Sequence, residues 1–225
     1  MKGDIKMGNN VMLQAFEWNL ENNGKLYVQL KQEAKQLKEN GFDALWLPPM
    51  FKGTGQNDVG YGVYDLYDLG EFDQKGTIRT KYGTLKELKE LIDELHKYEI
   101  KVYADIVLNH KAGADYSEEF AAIQVDEEDR MKEISDVYNI EGWTGFNFPG
   151  RNQKYSAFEW KFQHFSGVDF DQKAGTEGIF KIVGENKEWA NDVSEEKGNY
   201  DYLMFADIDH KHTDVQKELL NWGVR

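Results

Sequence analysis

Two polar residues end an otherwise apolar stretch of the sequence, and their side chains are suited to binding. The stretch VYADIVLNH covers residues 102–110 and finishes on Asn109 and His110. The Asn109 amide oxygen suits a hard cation such as calcium, and the His110 imidazole can hydrogen-bond a hydroxyl group of a substrate. Considered alone, the pair could also be the polar beginning of an ordinary loop, which is the more frequent case.

A second group of polar side chains lies in NYDYLMFADIDHKHTD, residues 199–214. Within it, Asp201 and Asp207 offer carboxylate oxygens that suit calcium. An EF-hand loop is excluded, because Lys211 stands at the fifth position of DIDHKH and His212 stands where glycine is required. The His-x-His spacing leaves a zinc site open, although imidazoles on an exposed loop are usually solvated.

Three further residues could take part in binding or in its support. Asp105 lies inside the same apolar stretch, where an ionised carboxylate needs a partner such as arginine. Trp18 and Tyr61 could supply flat apolar faces of the kind that suit sugar rings. For Asp105 a structural ion pair is the alternative, and for the two aromatic residues the alternative is packing in the core.

The elements that must position these residues alternate between strand and helix. Apolar runs predict three strands buried on both faces, at residues 11–18, 42–50 and 101–110. Helical spacing predicts a helix between the first two strands, and a capping box of Thr84 and Glu87 begins another before the third. This pattern is typical of an α/β fold with a parallel sheet, whose ligands bind beyond the carboxyl ends of the strands. Asn109 and His110 would lie at such an end.

Residues 111–206 interrupt this alternation with an acidic segment and then a stretch rich in aromatic residues and glycine. Because a structureless loop of that length is improbable in a compact protein, we predict an inserted subdomain after the third strand. A last helix follows, with Thr213 and Gln216 predicted at its cap. The predicted division of the chain is therefore 1–110, 111–206 and 207–225.

Composition narrows the class of protein. The 225 residues are 40% hydrophobic, which is enough for one large domain or two small ones. Asp and Glu number 41 against 27 Lys and Arg, and the resulting charge of −14 opposes binding to nucleic acid. No cysteine is present to form disulfides or thiolate metal sites. Since no stretch is typical of a signal peptide or a membrane helix, we predict a soluble, cytoplasmic protein without a membrane partner.

Several motifs together point to one family. They are QAFEW, LWLPPMFKGTGQNDVGYGVYDLYDLGEFDQKGTIRTKYGT, ADIVLNHKAGAD, FNFPGR and GNYDYLMFADIDH, and they span about residues 11–224. The combination closely resembles the bacterial liquefying-type and intracellular α-amylases of glycoside hydrolase family 13. The resemblance implies a (β/α)8 TIM barrel, of which this chain holds the first three strands, with a B domain inserted after strand three. It also implies retaining endo-hydrolysis of α-1,4-glucosidic bonds in starch- or glycogen-type glucans.

The resemblance implies a calcium site as well. Its ligands would be Asn109, Asp201 and Asp207, and the ion would join the B domain to the barrel. Related enzymes commonly carry acidic ligands for extra calcium and sodium ions at three positions that here hold Ser166, Ala190 and Lys211. We therefore expect no additional ions, and Asp209 is then less favoured as a metal ligand.

The implied substrate contacts are carried by three residues. His110 and Tyr61 would contact the glucose ring at the cleavage subsite, Tyr61 by stacking, and Trp18 would be a further lining residue. Asp105 would pair with an arginine on strand four of the family's barrel.

We expect the catalytic nucleophile and the acid/base to lie beyond Arg225, the last residue of this sequence. Retaining glycosidases need two carboxyl groups about 5–5.5 Å apart, and the family places them on strands four and five. No stretch resembling GFRxDAxKH occurs, so neither these groups nor the arginine partner of Asp105 is expected here. The isolated chain is therefore predicted to be inactive, and an unclosed barrel would expose strand edges that favour self-association.

Two other functions stay open from the sequence. The chain could be a non-catalytic module, or a truncated product, that binds glucan or another partner through the retained part of a cleft. A related transglycosylase, or an enzyme with another glucan specificity, would carry the same motifs.

Overall fold

The computed structural model describes residues 10–224 of the chain. Its helices are α1 (Leu26–Glu39), α2 (Leu85–Lys97) and α3 (Thr213–Gly223). Its strands are β1 (Met12–Gln14), β2 (Ala44–Leu47), β3 (Lys52–Gly53), β4 (Val63–Asp65), β5 (Lys101–Ala104), β6 (His110–Lys111), β7 (Tyr116–Val125), β8 (Tyr138–Gly145), β9 (Phe165–Asp171), β10 (Thr176–Ile182) and β11 (Ala206–Ile208). No helix among the described residues combines the length and the apolar character needed to cross a membrane.

One prediction concerns the end of the sequence. Arg225, beyond which we expect the catalytic nucleophile and the acid/base, lies outside the described residues. The structure therefore does not test the assignment of these two groups to sequence after Arg225, and the assignment stays a prediction.

Contacts divide the chain into two compact units. The first unit holds the residues up to Tyr61 together with Leu69–Ile106, and the second holds Gly62–Asp68 and the chain from Val107 onward. Helix α3 and the segment Gly62–Asp68 thus belong to the second unit. The division into 1–110, 111–206 and 207–225 is a different partition, and it stays a prediction about a barrel and its insertion.

The first unit contains a parallel sheet with strand order β1-β2-β5. Leu13 pairs with Leu45, and Leu45 pairs in turn with Val102. The predicted alternation of strands and helices in a parallel α/β arrangement is therefore confirmed. The strands are shorter than the apolar runs; β2, for example, stops at Leu47, and the next residue is Pro48, which has no N–H for a sheet hydrogen bond.

The sheet of the first unit is covered on one face. Both α1 and α2 pack on the side of Leu45 and Leu47, where α2 contributes Leu91, which is fully buried. On the opposite face, Met12 and Tyr103 expose about half of their surface, 52% and 51%. Within residues 10–224 these strands are therefore covered on one face only, because the two helices pack against the same face, and burial of the other face stays a prediction.

The predicted third strand is divided into two. Only residues 101–104 pair in the parallel sheet as β5, whereas His110 and Lys111 form β6 in the sheet of the second unit. Asn109 and His110 consequently lie at the beginning of a new strand, and not at the carboxyl end of β5. The apolar pattern could not separate these two cases, because hydrophobic residues continue from β5 through residues 106–108 to the start of β6.

The second unit is built on an antiparallel sheet with order β6-β11-β9-β10-β7-β8. Such strands are joined by hairpins and loops, so no crossover helices are needed. Its main core is formed by aromatic and aliphatic residues, among them Phe146, Trp160, Phe165, Phe180 and Ile208. Strand β11 is internal, and it pairs with β6 on one side and β9 on the other.

Helix α3 begins one residue away from the predicted cap. The N-cap is His212, whose Nδ1 accepts a hydrogen bond from the backbone N–H of Asp214 at 3.2 Å. Thr213 is the first helical residue, so its assignment to the cap was wrong. Imidazole is an unusual capping group, which explains why the search for Ser, Thr, Asn or Asp missed it.

Candidate functional site

The pairing of β6 with β11 brings two of the predicted metal ligands together in the second unit. The backbone N–H of Ile208 donates to the backbone oxygen of Asn109 at 2.9 Å. This contact places the Asn109 amide Nδ2 3.2 Å from Oδ1 of Asp207. Ser166 donates its hydroxyl to the other oxygen of Asp207. Residues 98 positions apart in the chain therefore share one polar cluster.

The Asp207 carboxyl group is buried, with 2% of its surface exposed. Burial raises its pKa well above the usual range, and the negative charges of Asp201 and Asp209 add to this effect. The hydrogen bonds from Ser166 and Asn109 act in the opposite direction. Among residues 10–224, Asp207 has no ion pair with Lys or Arg. A bound cation would compensate this charge without an ammonium partner.

Asp201 lies in the loop that leads to β11. Its Oδ2 accepts a hydrogen bond from the backbone N–H of Ala190 at 2.7 Å, and its own N–H donates to Asn199 at 3.0 Å. Both contacts hold the loop in place, and the side chain is half-buried. Because Asp201 raises the pKa of Asp207, the two carboxyl groups interact electrostatically.

Asp209 has a different partner from the other acidic residues. Its Oδ2 lies 2.6 Å from Nζ of Lys187, and the two side chains are only 9% and 8% exposed. The same ammonium also donates to the backbone oxygen of Gln163 at 2.6 Å. Lys187 therefore supplies the counter-charge of Asp209 from within the protein.

The donor set of the cluster fits a hard cation. It consists of two carboxylates and one amide, which are the oxygen donors that calcium prefers. Asn109 now turns its amide nitrogen toward Asp207, and a rotation of the amide by half a turn would present its oxygen instead. Asn109, Asp201 and Asp207 would hold such an ion, whose contribution would be structural.

His110 lies beside this cluster on β6. Its ring is 5.5 Å from the ring of Phe205, and its Nδ1 is 3.4 Å from Nδ2 of Asn109. Only 3% of the residue is exposed, so it is less accessible than the predicted role in substrate contact suggests.

The other predicted substrate contacts lie in the first unit. The rings of Trp18 and Tyr61 are stacked, with centroids 6.1 Å apart and planes inclined by 11°. Trp18 is 66% exposed, so the outer face of the pair is open to solvent. The Tyr61 hydroxyl donates to Oδ2 of Asp105 at 2.9 Å. Burial, followed by this carboxylate, raises the pKa of Tyr61 to about 12.

The backbone next to Tyr61 requires glycine. Gly60 has a φ of +102°, and a side chain there would place its Cβ 2.5 Å from Cβ of Pro49. Tyr61 therefore follows a turn in which any residue other than glycine at position 60 would be strained. Sequence reasoning did not foresee the Tyr61–Asp105 hydrogen bond, because it searched for an arginine partner.

The contacts of His210 and His212 do not favour a zinc site at these two residues. His210 is exposed, whereas His212 lies close to His164 and Asp214, with candidate donor atoms within 4.8 Å of one another. However, Nδ1 of His164 accepts the N–H of Lys161 at 2.9 Å, and Nδ1 of His212 accepts that of Asp214. Because each Nδ1 already accepts a backbone hydrogen bond, neither Nδ1 lone pair is available to a metal ion.

The sequence did not predict the burial of two cationic side chains in the second unit. Lys111 is 1% exposed and donates to the backbone oxygen of Tyr64 at 2.6 Å. Its ammonium is 5.0–5.2 Å from three ring centroids, those of Phe146, Phe148 and Trp160. Arg151 forms a 2.8 Å ion pair with Asp65, and both side chains are 1% exposed. Because Lys111 follows His110, this buried cluster fixes the strand that carries the predicted site residues.

Comparison with known proteins identifies the family. The model of the alpha amylase catalytic domain matches residues 29–222. A glucan 1,4-alpha-maltohexaosidase of Bacillus sp. (strain 707) is 51% identical over 96% of this chain and 42% of its own length. A cytoplasmic alpha-amylase of Escherichia coli (strain K12) is 42% identical over 96% of this chain and 44% of its own length.

A solved structure adds to this comparison. The crystal structure of a truncated alternansucrase from Leuconostoc mesenteroides NRRL B-1355 matches with a TM-score of 0.53 and 26% identity. The match covers 61% of this chain and 13% of that chain. The chain thus spans less than half the length of the curated relatives it matches. It belongs to the α-amylase family of glycoside hydrolases.

Proposed function

We propose that this chain forms part of the cleft of an α-amylase that hydrolyses α-1,4-glucosidic bonds of starch- or glycogen-type glucans in an endo-acting, retaining manner. The observation that carries this proposal is the contact between Asn109 and the buried Asp207, which have the donor chemistry of a calcium site. Family membership and the activities named for the relatives support it. In this proposal, β1, β2 and β5 are the first strands of a (β/α)8 barrel and residues 111–206 are its B domain.

The calcium ion would be held by Asn109, Asp201 and Asp207. One ion is proposed, because the carboxylate of Asp209, two residues from Asp207, is paired with Lys187. The ion would neutralise the buried carboxylate and hold the loop before β11 against β6. It would fix binding residues in place and would take no part in bond cleavage.

Glucan contact is proposed for His110, Tyr61 and Trp18. The stacked rings of Trp18 and Tyr61 offer a flat apolar face, and such faces suit the C–H surface of a glucose ring. Asp105 orients the Tyr61 ring by accepting its hydroxyl proton in a hydrogen bond. The ion pair of Asp105 with an arginine of strand four stays a prediction beside this hydrogen bond.

We further propose that the nucleophile and the acid/base are supplied by sequence beyond Arg225, so that these 225 residues alone do not cleave glucan. A non-catalytic glucan-binding module is the second candidate function. The exposed Trp18–Tyr61 pair favours it, because binding through that face needs no catalytic group. A cytoplasmic location and self-association through exposed sheet residues such as Met12 and Tyr103 also stay proposals.

Glucan binding by this chain tests the proposal. Titration calorimetry with maltohexaose should detect saturable binding, and Trp18→Ala should weaken it about tenfold through loss of the stacked face. Trp143→Ala is the matched control, since that indole is also exposed, at 45%, and is not part of the pair. Absence of glucan binding by the unaltered chain would contradict both candidate functions. Turnover of a blocked malto-oligosaccharide by this chain alone would contradict the assignment of the catalytic residues.

A further inference from the structure

The second unit contains a cavity that the proposed function does not use. Its volume is about 600 Å³, which is within the range of small-molecule sites. The cavity wall includes Arg130, Asp169 and Ile179, together with the loop residues Leu203–Phe205. Neither His110 nor any of the proposed calcium ligands lines it.

Arg130 is the unusual feature of this cavity. The residue is 6% exposed, yet within residues 10–224 no carboxylate forms an ion pair with it. Its Nε has no hydrogen-bond acceptor among the described residues, and its Nη1 donates to the backbone oxygen of Tyr202. The guanidinium lies 4.3 Å from the ring centroid of Tyr200. A buried cation in this state calls for a further group that accepts hydrogen bonds.

The charges around the cavity favour a neutral ligand. Lys197 adds a second positive charge to that of Arg130, but carboxylates also line the wall, from Glu127, Asp169 and Glu177. An anion would be repelled by the carboxylates, and a cation would be repelled by Arg130 and Lys197. Hydroxyl groups satisfy both kinds of partner, because each one donates and accepts.

The remaining wall is apolar and held in a fixed conformation. Leu203, Met204 and Phe205 expose 43%, 38% and 36% of their surface. Phe205 has a φ of +54°, and its N–H donates to Asp169 at 2.9 Å, which stabilises this strained backbone. Apolar side chains beside hydrogen-bonding groups of both signs match a sugar ring, which has C–H faces and a hydroxyl edge.

We propose that the Arg130 cavity is a second binding site for glucosyl units of an α-glucan, separate from the site at His110. Phe205 borders both places, because its ring is 5.5 Å from that of His110 and also lines the cavity. A glucan that contacts His110 would continue past Phe205 toward Arg130. This inference rests on the proposed function, since it takes the same class of ligand.

Methyl NMR locates such a ligand directly. The chain would be labelled at isoleucine δ1-methyl groups and titrated with maltohexaose. Ile179 lines the cavity, whereas Ile134 is 51% exposed in the same unit and does not line it. We expect the Ile179 signal to shift in a saturable way while the Ile134 signal stays constant. The two signals are assigned through Ile179→Val and Ile134→Val.

Variants separate this site from the first. Arg130→Lys should raise the dissociation constant reported by Ile179 about tenfold, because a single ammonium nitrogen cannot reproduce the planar array of donors of the guanidinium. Glu177→Gln, at the exposed rim of the cavity, should raise the same dissociation constant about threefold. Because Glu177 is exposed, this variant should fold as the unaltered chain does. Met131→Ala, next to Arg130 in sequence and 63% exposed, should leave it unchanged.

The outcomes distinguish the two proposals. If calorimetry detects maltohexaose binding while the Ile179 signal does not move, the Arg130 site is wrong and the proposed function stands. The same holds if Arg130→Lys and Glu177→Gln both bind as the unaltered chain does. If no maltohexaose binds at all, the proposed function and this inference are both wrong.

Discussion

The two units of this chain differ in the contacts that their buried charged side chains make. The first unit is a small parallel sheet with two helices on one face, and its core is a cluster of aliphatic and tyrosine side chains. Its buried Lys52 donates to three neutral backbone carbonyls at 2.6–2.9 Å. The second unit buries the ion pairs Arg151–Asp65 and Lys187–Asp209, as well as Asp207. The second unit therefore depends on the compensation of buried charge as well as on apolar packing.

Removing one partner of a buried ion pair should have the largest effect on stability. Arg151→Met removes the ion pair of the buried Asp65, and we expect the free energy of unfolding of the second unit to fall by about 3–5 kcal/mol. Urea titration combined with amide hydrogen exchange measures this loss. Lys132→Met is the control, because the Lys132–Asp126 pair is 62% and 30% exposed and should contribute about 0–1 kcal/mol. Equal effects of the two variants would contradict the dependence of the second unit on the compensation of buried charge.

A cavity in the apolar core should be the main way to weaken the first unit. Leu91 on α2 is fully buried, and Leu91→Ala should lower the free energy of unfolding by about 2–4 kcal/mol. The matched control is Leu220→Ala on α3, since Leu220 is 69% exposed and its truncation should cost about 0.5 kcal/mol or less. A loss below about 1 kcal/mol for Leu91→Ala would mean that packing does not dominate this unit.

Mild acid should destabilise the second unit through His164. Burial, with a smaller contribution from His212, lowers the pKa of His164 to about 4 from 6.5. Because the pKa of His164 is lower in the folded state, the unfolded state binds more protons than the folded state at pH values between about 4 and 6.5. Stability should therefore fall as the pH drops from about 6.5 to about 4, by on the order of 3 kcal/mol in total.

The comparison with His164→Asn isolates this contribution. Urea titrations at several pH values should give a flatter pH dependence for the variant than for the unaltered chain. His96→Asn is the control, because His96 is exposed at the end of α2. An unchanged pH dependence in His164→Asn would assign the acid sensitivity to other groups.

The smallest expected effect concerns the polar contact of the first unit. Tyr61→Phe removes the hydrogen bond to Asp105 and should cost about 0.5–1.5 kcal/mol. It should also loosen the stacking on Trp18, which the fluorescence of that exposed indole reports. Tyr103→Phe, at a residue 51% exposed on the open sheet face, should change neither property. Equal results for the two variants would show that the Tyr61–Asp105 contact does not order the aromatic pair.

The sequence predicted the fold well where local patterns determine it. The parallel α/β arrangement follows from three apolar runs and helical spacing, and the capping box at Thr84 and Glu87 is present with contacts of 2.8 and 3.3 Å. The extent of the strands was not predictable, because the mainly apolar segment 101–108 contains both β5 and the approach to β6. Periodicity does not say which sheet a residue joins.

The candidate site was predictable mainly through family motifs. Asn109 and Asp207 are 98 positions apart, and no local pattern brings them together. Their contact depends on the register of β6 with β11, which is a property of the folded sheet. The buried Lys111 and Arg151 were missed for a related reason: a charged residue is normally read as exposed, and only the surrounding structure reveals its burial.

Calcium titration of the chain tests the central claim most directly. Calorimetry should detect one bound calcium ion per chain, and Asp207→Asn should weaken its binding at least about tenfold, because the buried carboxylate is replaced by a neutral amide of the same shape. Glu188→Gln, which alters an exposed carboxylate outside the cluster, should bind calcium as the unaltered chain does. Calcium binding of equal strength in the unaltered chain and in Asp207→Asn, or no calcium binding in either, would contradict the account.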